Sequence, residues 1–392
     1  MPNTNGNTAD IVVVGAGVIG TSIAFHLAKR RAGRVLVLEK KHVASGGTGR
    51  SSALIRMHYS FPPEVQLAVK SLEMFEHWRE IVGEPGEFRK VGFVRIVPGN
   101  ELDKLKGNVA MQKRYGVKAD VIDCHELKKL EPDWNLDDEP AAAYEPESGY
   151  GDGAIAAQDL ITAARAMGVE YRPRTEAIKI VTESGRVRGV ITTEGEILAA
   201  QIVLAAGLST VQLVQQLGFD LPISPEFHQV AILRNPPGMK PAGCACIDSV
   251  NTLYFRSDSN DKTLIGDFYG NRTGIDIENF PQRPSDDWVE ETLENACNRI
   301  PKLQNAEVMK GVTGVYDMTP DARPLLGTLP YTGLYIAAGF SGTGFKIAPA
   351  IGLTISELLV DGAAKTVDIS AFRHSRFQEG KPIKTEFDYQ ND

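Results

Sequence analysis

The stretch from Ile11 to Glu39 leaves a folding chain few choices. Ile11 to Val14 is an unbroken run of β-branched apolar residues, a pattern suited to the middle of a parallel sheet, where both faces are covered. Gly15-Ala16-Gly17-Val18-Ile19-Gly20 follows at once, then a helix carrying Ile23, Ala24, Leu27 and Ala28, then Arg34 to Leu38 as a second strand ending in Glu39. In such a unit the first glycine permits the tight turn, the second lets the backbone approach a pyrophosphate, and the third lets helix and strand pack closely. The helix N-terminus then faces the phosphates. Glu39 stands about 20 residues beyond the glycines, where a carboxylate accepts hydrogen bonds from both ribose hydroxyls and repels a 2′-phosphate. The ligand this spacing points to is FAD or NAD rather than NADP. Against the alternative of a glycine turn with no nucleotide, strand, helix, second strand and acid all fall where the fingerprint needs them.

A chain of 392 residues is too long for one ordinary core and suits two domains. Hydrophobic content of 42% and charged content of 23% are those of a soluble globular protein. The formal charge of -8 gives no general attraction to nucleic acid or anionic lipid. Ile11 to Ala28 lacks charged residues and invites comparison with a signal peptide or membrane anchor. No Lys or Arg precedes it, however, Lys29-Arg30-Arg31 follows it, and its glycines divide it into strand and helix. The expectation is a cytoplasmic protein with no transmembrane segment. Cys124, Cys244, Cys246 and Cys297 make no disulfide framework in so long a chain, and Cys244 and Cys246 lack a matching Cys or His pair, so no metal is expected.

Met1 to Thr8 is polar and reads as disordered. Ala44 to Arg56, rich in glycine and hydroxyls, is suited to wrapping a ligand with backbone N–H groups. Pro62-Pro63 opens a helix with Val65, Ala68, Leu72 and Phe75 on one face. Phe93 to Val97 reads as a strand, Leu102 to Tyr115 as a polar helix, and Glu131 to Asp152 as irregular. A helix over Ala156 to Met167 leads to strands at Val169 to Tyr171, Ala177 to Thr182, Val187 to Thr192 and Ile202 to Ala205. Ser209 is the expected cap of a helix running through Leu213 and Leu217. Ile223 to Leu233, Thr252 to Arg256 and Thr263 to Asp267 read as antiparallel strands, before a helix through Val289, Leu293, Ala296 and Ile300. After Val308 to Tyr316 the nucleotide-type pattern returns: Leu334 to Ala338, then Gly339-Phe340-Ser341-Gly342-Thr343-Gly344, then an apolar helix from Ala348 to Leu359. The expected division is a discontinuous nucleotide-binding domain over 1–85, 152–218 and 308–375, a substrate domain over 86–151 and 219–307, and a C-terminal tail over 376–392.

These segments together resemble the D-amino-acid oxidase superfamily of flavoproteins, in the branch with sarcosine oxidase, glycine oxidase and the β subunits of sarcosine oxidase. The resemblance rests on Val12 to Glu39, Gly46 to Arg56, Ile202 to Gly207, Thr319-Pro320-Asp321 and Gly339 to Lys346. It implies an α/β fold: an FAD-binding, Rossmann-like domain of the glutathione-reductase type, plus an α+β substrate domain with a mainly antiparallel sheet. The expected FAD-binding residues are Gly15, Gly17, Val18, Ile19, Gly20, Glu39, Lys40, Ser45, Gly46, Gly47, Arg50, Ser51, Ser52, Ala205, Ala206, Gly207, Gly342, Thr343, Gly344, Phe345 and Lys346.

The implied activity is oxidation of the C–N bond of an amino acid or a secondary or N-substituted amine, by hydride transfer to flavin N5, giving an imine that hydrolyses. Arg56 and Lys346 match the basic pair that binds the substrate carboxylate in monomeric sarcosine oxidases. The bland alternatives are a helix-capping Arg56 and a surface Lys346. His58 is a candidate base or a structural histidine, and Tyr254 a substrate contact or a core aromatic.

This chain departs from those oxidases at three positions. Gly314 stands where a cysteine carries their flavin, so non-covalent FAD is expected. Leu264 and Phe268 stand where they have an oxygen-activating lysine and a histidine. An oxidase using O2 and giving H2O2 is the favoured expectation. A dehydrogenase passing electrons to a quinone or carrier protein, or an FAD-binding β subunit of a heteromeric complex, are the alternatives, which leaves open a partner subunit or a homo-oligomer. An NADH-using flavin monooxygenase would need a second dinucleotide site, and there is one complete fingerprint.

Overall fold

The computed structural model describes residues 7–138 and 140–389. The apolar run in the strand Thr8–Val14 is shared between two cores by simple alternation. Ile11 and Val13 join one cluster with Ile23, Leu27, Leu160 and Ile351, while Val12 and Val14 join the opposite one with Ile180, Val190 and Leu213. Thr8–Val14 lies between Gly195–Leu204 and Val35–Glu39, parallel to both, with Val12 beside Ile202 and Leu36. Glu170–Pro173 extends this sheet on one side, and Leu334–Ala338 adds in parallel to the end of Gly195–Leu204. Ala177–Glu183 and Arg186–Thr192 complete it as antiparallel strands, and Leu325–Thr328 pairs antiparallel with Leu334–Ala338.

The second large sheet runs in the order Glu307–Met318, Ser224–Arg234, Lys262–Asp267, Leu253–Ser259, Ala245–Asp248, Phe93–Val97, Ala141–Glu145, Asp120–Ile122. All its pairings are antiparallel except that of Ala245–Asp248 with Phe93–Val97. Its core sets Trp134 against Phe255, beneath the helix Asp286–Arg299. A small sheet of Leu54–Ile55, Gly149–Gly151 and Phe88–Lys90 carries the chain out of the glycine-rich loop.

Several expectations need correction. Glu131 to Asp152 is not wholly irregular: Ala141–Glu145 is a strand because Phe93–Val97 pairs with it, although its alanines have no strong strand preference of their own. Thr8 already pairs with Leu198, while residues 1–6 of the expected disordered start lie outside the described residues. Ser209 is the first residue of the helix Ser209–Gln215 and not its cap; its hydroxyl accepts instead from Lys40 Nζ at 3.2 Å. The helix expected from Ala348 begins at Gly344. Glu307–Met318, beyond the boundary expected at 308, pairs along its length with Ser224–Arg234.

Candidate active site

The glycine turn is forced by close approach. Gly15 has φ +106°, and a Cβ there would lie 2.4 Å from the Ala205 carbonyl oxygen. At Gly20 a Cβ would lie 2.0 Å from the Gly15 carbonyl, so the first helix, Val18–Lys29, meets the strand with no room for a side chain. Glu39 is locked in place: Oε2 accepts from Ala16 N at 2.9 Å, and Oε1 from Lys41 N at 2.8 Å and Ser45 Oγ at 3.2 Å.

Glu39 and the turn open onto a cavity of about 510 Å³. Of the expected cofactor residues, Gly15, Gly17, Val18, Ile19, Glu39, Lys40, Ser45, Gly46, Gly47, Arg50, Ser51, Ala205, Ala206, Gly207, Gly342, Gly344 and Phe345 line it; Gly20, Ser52, Thr343 and Lys346 do not. At Gly46 and Gly207 a Cβ would meet nothing within 4 Å, so bare backbone faces open space.

The segment from Ile277 to Gln282 also lines the cavity, and sequence reasoning missed it. Glu278 pairs with Lys40, Gln282 accepts from Arg50 Nη2 at 2.8 Å, and Phe280 lies 5.2 Å from the Arg50 guanidinium. No glycine or motif marks this segment. Its role is visible only through those contacts.

Outside the residues that line the cavity, Arg56 and Lys346 come together. Lys346 lies in the first turn of the helix Gly344–Asp361, is buried, and donates to the Gly342 carbonyl at 3.4 Å. Burial, and next the Arg56 charge, hold its amine well below the ordinary lysine range, with Glu64 opposing. Arg56 is half-buried over the rings of Tyr59 (4.7 Å) and Phe93 (5.9 Å), and its Nη1 donates to the His58 carbonyl. Among the described residues, neither Arg56 nor Lys346 has a carboxylate within 4.0 Å. Two fully buried arginines elsewhere do: Arg299 is met by Asp248 at 2.7 Å and Asp138 at 2.6 Å, and Arg376 by Asp321 at 2.8 Å.

Glu64, unremarked in the sequence, is fully buried beside this pair. Burial pushes its carboxyl up to about 7, against the charges of Arg323, Arg56 and Lys346. Arg323 Nε stands 2.7 Å from Oε2 and is the foremost of the charges opposing the rise, yet burial outweighs it.

His58 is held neutral, its basicity lowered by burial and by Arg95 and Arg56. Its Nε2 shares a 2.7 Å hydrogen bond with Tyr389 Oη. Nδ1 is 3.8 Å from Glu145, whose carboxyl is itself raised by burial, so this is a contact of two buried polar groups rather than an ion pair. Tyr254 is buried with its hydroxyl engaged by Tyr316 and Ser52. Tyr316 lines the cavity and carries His228 stacked on its ring at 4.0 Å, with Glu226 3.0 Å from His228 Nε2. Leu264 is buried with Leu54, Phe93 and Tyr254, and Phe268 packs on the same cluster.

Residues 10–358 match the family of FAD dependent oxidoreductases. The chain belongs to that family. It is 28% identical over 384 residues to the sarcosine oxidase subunit beta of an Arthrobacter species, covering 95% of this chain and 92% of that one. The crystal structure of L-proline dehydrogenase from P. horikoshii superposes with a TM-score of 0.89 at 27% identity, over 96% of this chain and 100% of that chain. Glycine oxidase from Geobacillus kaustophilus gives 0.82 at 26% identity, over 94% and 99%.

The protein is therefore an FAD-dependent oxidoreductase, and the cavity suits FAD on its own terms. Main chain without side chains lies where phosphates approach, and Glu39 is fixed at the end of the second strand. Among the described residues no helix is long and apolar enough to cross a membrane, and no cluster of three or more His, Cys, Asp or Glu is placed to hold a metal.

Glu64 supplies a stability test. The folded protein keeps its proton up to about pH 7, whereas the unfolded chain releases it near 4.5, so stability falls as pH rises through that window. Glu64→Gln removes that share, about 3 kcal/mol at most. Thermal melts across the window are expected to decline less steeply with pH in the variant, and parallel curves would count against the buried proton.

Proposed function

We propose that the protein oxidises the C–N bond of a secondary or N-substituted amino acid whose carboxylate sits between Arg56 and Lys346. The observation that carries this reading is a pair of cations, drawn from distant parts of the chain and lacking any carboxylate of their own among the described residues. A buried cation without an anion is costly unless a ligand supplies one. Arg56 offers a planar fork that matches a carboxylate, and the His58 carbonyl and the Tyr59 ring set its orientation. Burial lowers the basicity of Lys346, and an arriving carboxylate would favour its charged form.

Bound FAD supplies the hydride acceptor. With FAD bound, the Tyr316 hydroxyl, paired with Tyr254, would be available to the substrate, and the start of the helix Gly344–Asp361 would direct N–H groups toward negative charge developing on the flavin. The likeness to an L-proline dehydrogenase and to a sarcosine oxidase subunit favours secondary amines, since proline and sarcosine share that group beside a carboxylate.

Anaerobic mixing of the FAD-loaded protein with L-proline, sarcosine and N-methyl amino acids tests the reading through loss of the oxidised flavin band. Arg56→Met is expected to weaken binding about 100-fold, the worth of a charged, two-pronged contact. If nothing in the panel bleaches the flavin, or the variant binds as well as the parent, the reading is lost.

Gly314 has no side chain to bond the flavin, so FAD is held non-covalently in this reading. Acid precipitation is expected to leave a colourless pellet beneath a yellow supernatant.

For the acceptor, the family resemblance favours O2. A dehydrogenase, or the FAD subunit of a larger complex, gains support from Leu264 and Phe268, apolar side chains that carry no charge to stabilise superoxide-like oxygen. Slow reoxidation of the isolated chain by air, quickened by Leu264→Lys, is the outcome expected of a dehydrogenase. Fast reoxidation of the parent would restore the oxidase reading and remove any need for a partner.

A further inference from the structure

We propose that Asp388 and Tyr389 are positioning residues, which clasp the segment 56–60 and thereby fix Arg56 for the substrate carboxylate. The inference rests on the reading that Arg56 binds that group.

The segment lies between the short strand Leu54–Ile55 and the helix Pro62–Glu76, so no sheet or helix ladder holds it. Single contacts do so, residue by residue. Met57 N donates to Glu145 Oε2 at 2.9 Å, and Gln112 Nε2 donates to the Tyr59 carbonyl at 3.0 Å. The other two come from the end of the described chain: Tyr389 Oη at 2.7 Å from His58 Nε2, and Asp388 accepting from Ser60 Oγ. Arg323 Nη2 bridges this junction, 3.0 Å from Ser60 Oγ and 3.2 Å from Asp388 Oδ1.

The clasp is itself anchored. Asn108 Nδ2 donates to the Phe387 carbonyl at 2.9 Å, and Thr385 N donates to Asp388 Oδ2 at 2.9 Å. The Phe387 ring fills the space at Gly107, where a Cβ would lie 2.5 Å from it, and Arg95 covers the Tyr389 ring at 4.7 Å. Tyr389 is buried.

The link to function runs through His58 and two hydrogen bonds. Arg56 Nη1 donates to the carbonyl of His58, the residue whose ring Tyr389 holds. If the clasp is released, the His58 carbonyl is free to move and the guanidinium moves with it. Affinity for a carboxylate should then fall, while hydride transfer from substrate already bound changes little.

The test uses the full-length, FAD-loaded protein and Tyr389→Phe, Asp388→Asn, Asp388→Glu and Arg56→Met. Pyrrole-2-carboxylate, an unreactive planar carboxylate, is titrated by its perturbation of the flavin spectrum. L-Proline gives the limiting reduction rate, and hydrogen exchange reports on amides 57–60. Tyr389→Phe and Asp388→Asn are each expected to weaken pyrrole-2-carboxylate about tenfold, the scale of one net hydrogen bond. Their limiting rates should stay within about twofold, exchange over 57–60 should quicken, and Asp388→Glu should recover most of the affinity.

Unchanged affinity in both variants overturns the proposal, as does a limiting rate that falls as far as the affinity, the mark of general damage. If Arg56→Met binds pyrrole-2-carboxylate normally, the carboxylate reading has failed and the positioning role falls with it. Quickened exchange in that case identifies the clasp as structural only.

Discussion

Two helices from opposite ends of the chain touch because a glycine stands at their crossing. A Cβ at Gly352 would lie 2.1 Å from Ser22 Oγ and 2.5 Å from the Ser22 carbonyl carbon, so Val18–Lys29 and Gly344–Asp361 can approach only with bare backbone on one side. Glycine inside a helix costs about 1 kcal/mol of intrinsic preference. The close packing of two apolar helices offsets it, and the result is geometric. Both helix N-termini, at Val18 and Gly344, reach the same cavity, so in the proposed reading phosphates and a developing flavin charge would each meet a helix start. The meeting of Arg56 and Lys346 follows from the same contact, since Lys346 is placed by the helix that Gly352 seats.

Electrostatics separates this site from the rest of the interior. Arg299 and Arg376 are buried with carboxylates in forked contact, the arrangement that makes a buried charge tolerable. Around Arg56 the protein accommodates the cost by moving protons: Lys346 is driven toward its neutral form and Glu64 keeps its proton to about 7. Such a site is short of negative charge by one ligand. A neutral amine would leave that shortage in place, which is why the proposed reading gives the substrate a carboxylate.

The glycine turn, Glu39 and the parallel core were legible in the sequence because each rests on local chemistry: short-range sterics at Gly15 and Gly20, and alternation in Ile11 to Val14. The strand Ala141–Glu145 was not legible, because its alanines take their conformation from Phe93–Val97. Glu64 reads in sequence as a solvated acid in the first turn of a helix, where acids are common. Only tertiary burial makes it part of the site. Ile277 to Gln282 and Tyr389 carry no motif either, and their places depend on contacts across the whole chain. His58 was visible as a polar residue near Arg56, yet its partners are Tyr389 and Glu145, neither of which its sequence neighbourhood announces.

The pairing of Ser224–Arg234 with Glu307–Met318 decides which chemistry faces the cavity. In that register His228 stands opposite Gly314 and Glu226 opposite Tyr316, all on one face of the ribbon. The bare face at Gly314 lies against Arg50, where a Cβ would be 3.4 Å from the arginine Cβ. Two residues on, Tyr316 takes up the space at Gly342, where a Cβ would lie 2.6 Å from its ring, and presents its hydroxyl to Tyr254. A slip of Glu307–Met318 by one residue would turn Tyr316 to the opposite face and bring Val315 in its place. The only irregularity in the pairing lies between Ile232 and Leu233, at the far end from the cavity, so the register at Tyr316 is held by an unbroken run of bonded neighbours. Strand register thus sets the polar Tyr316 on the cavity wall, and it cannot be exchanged for its neighbours without unpairing the sheet.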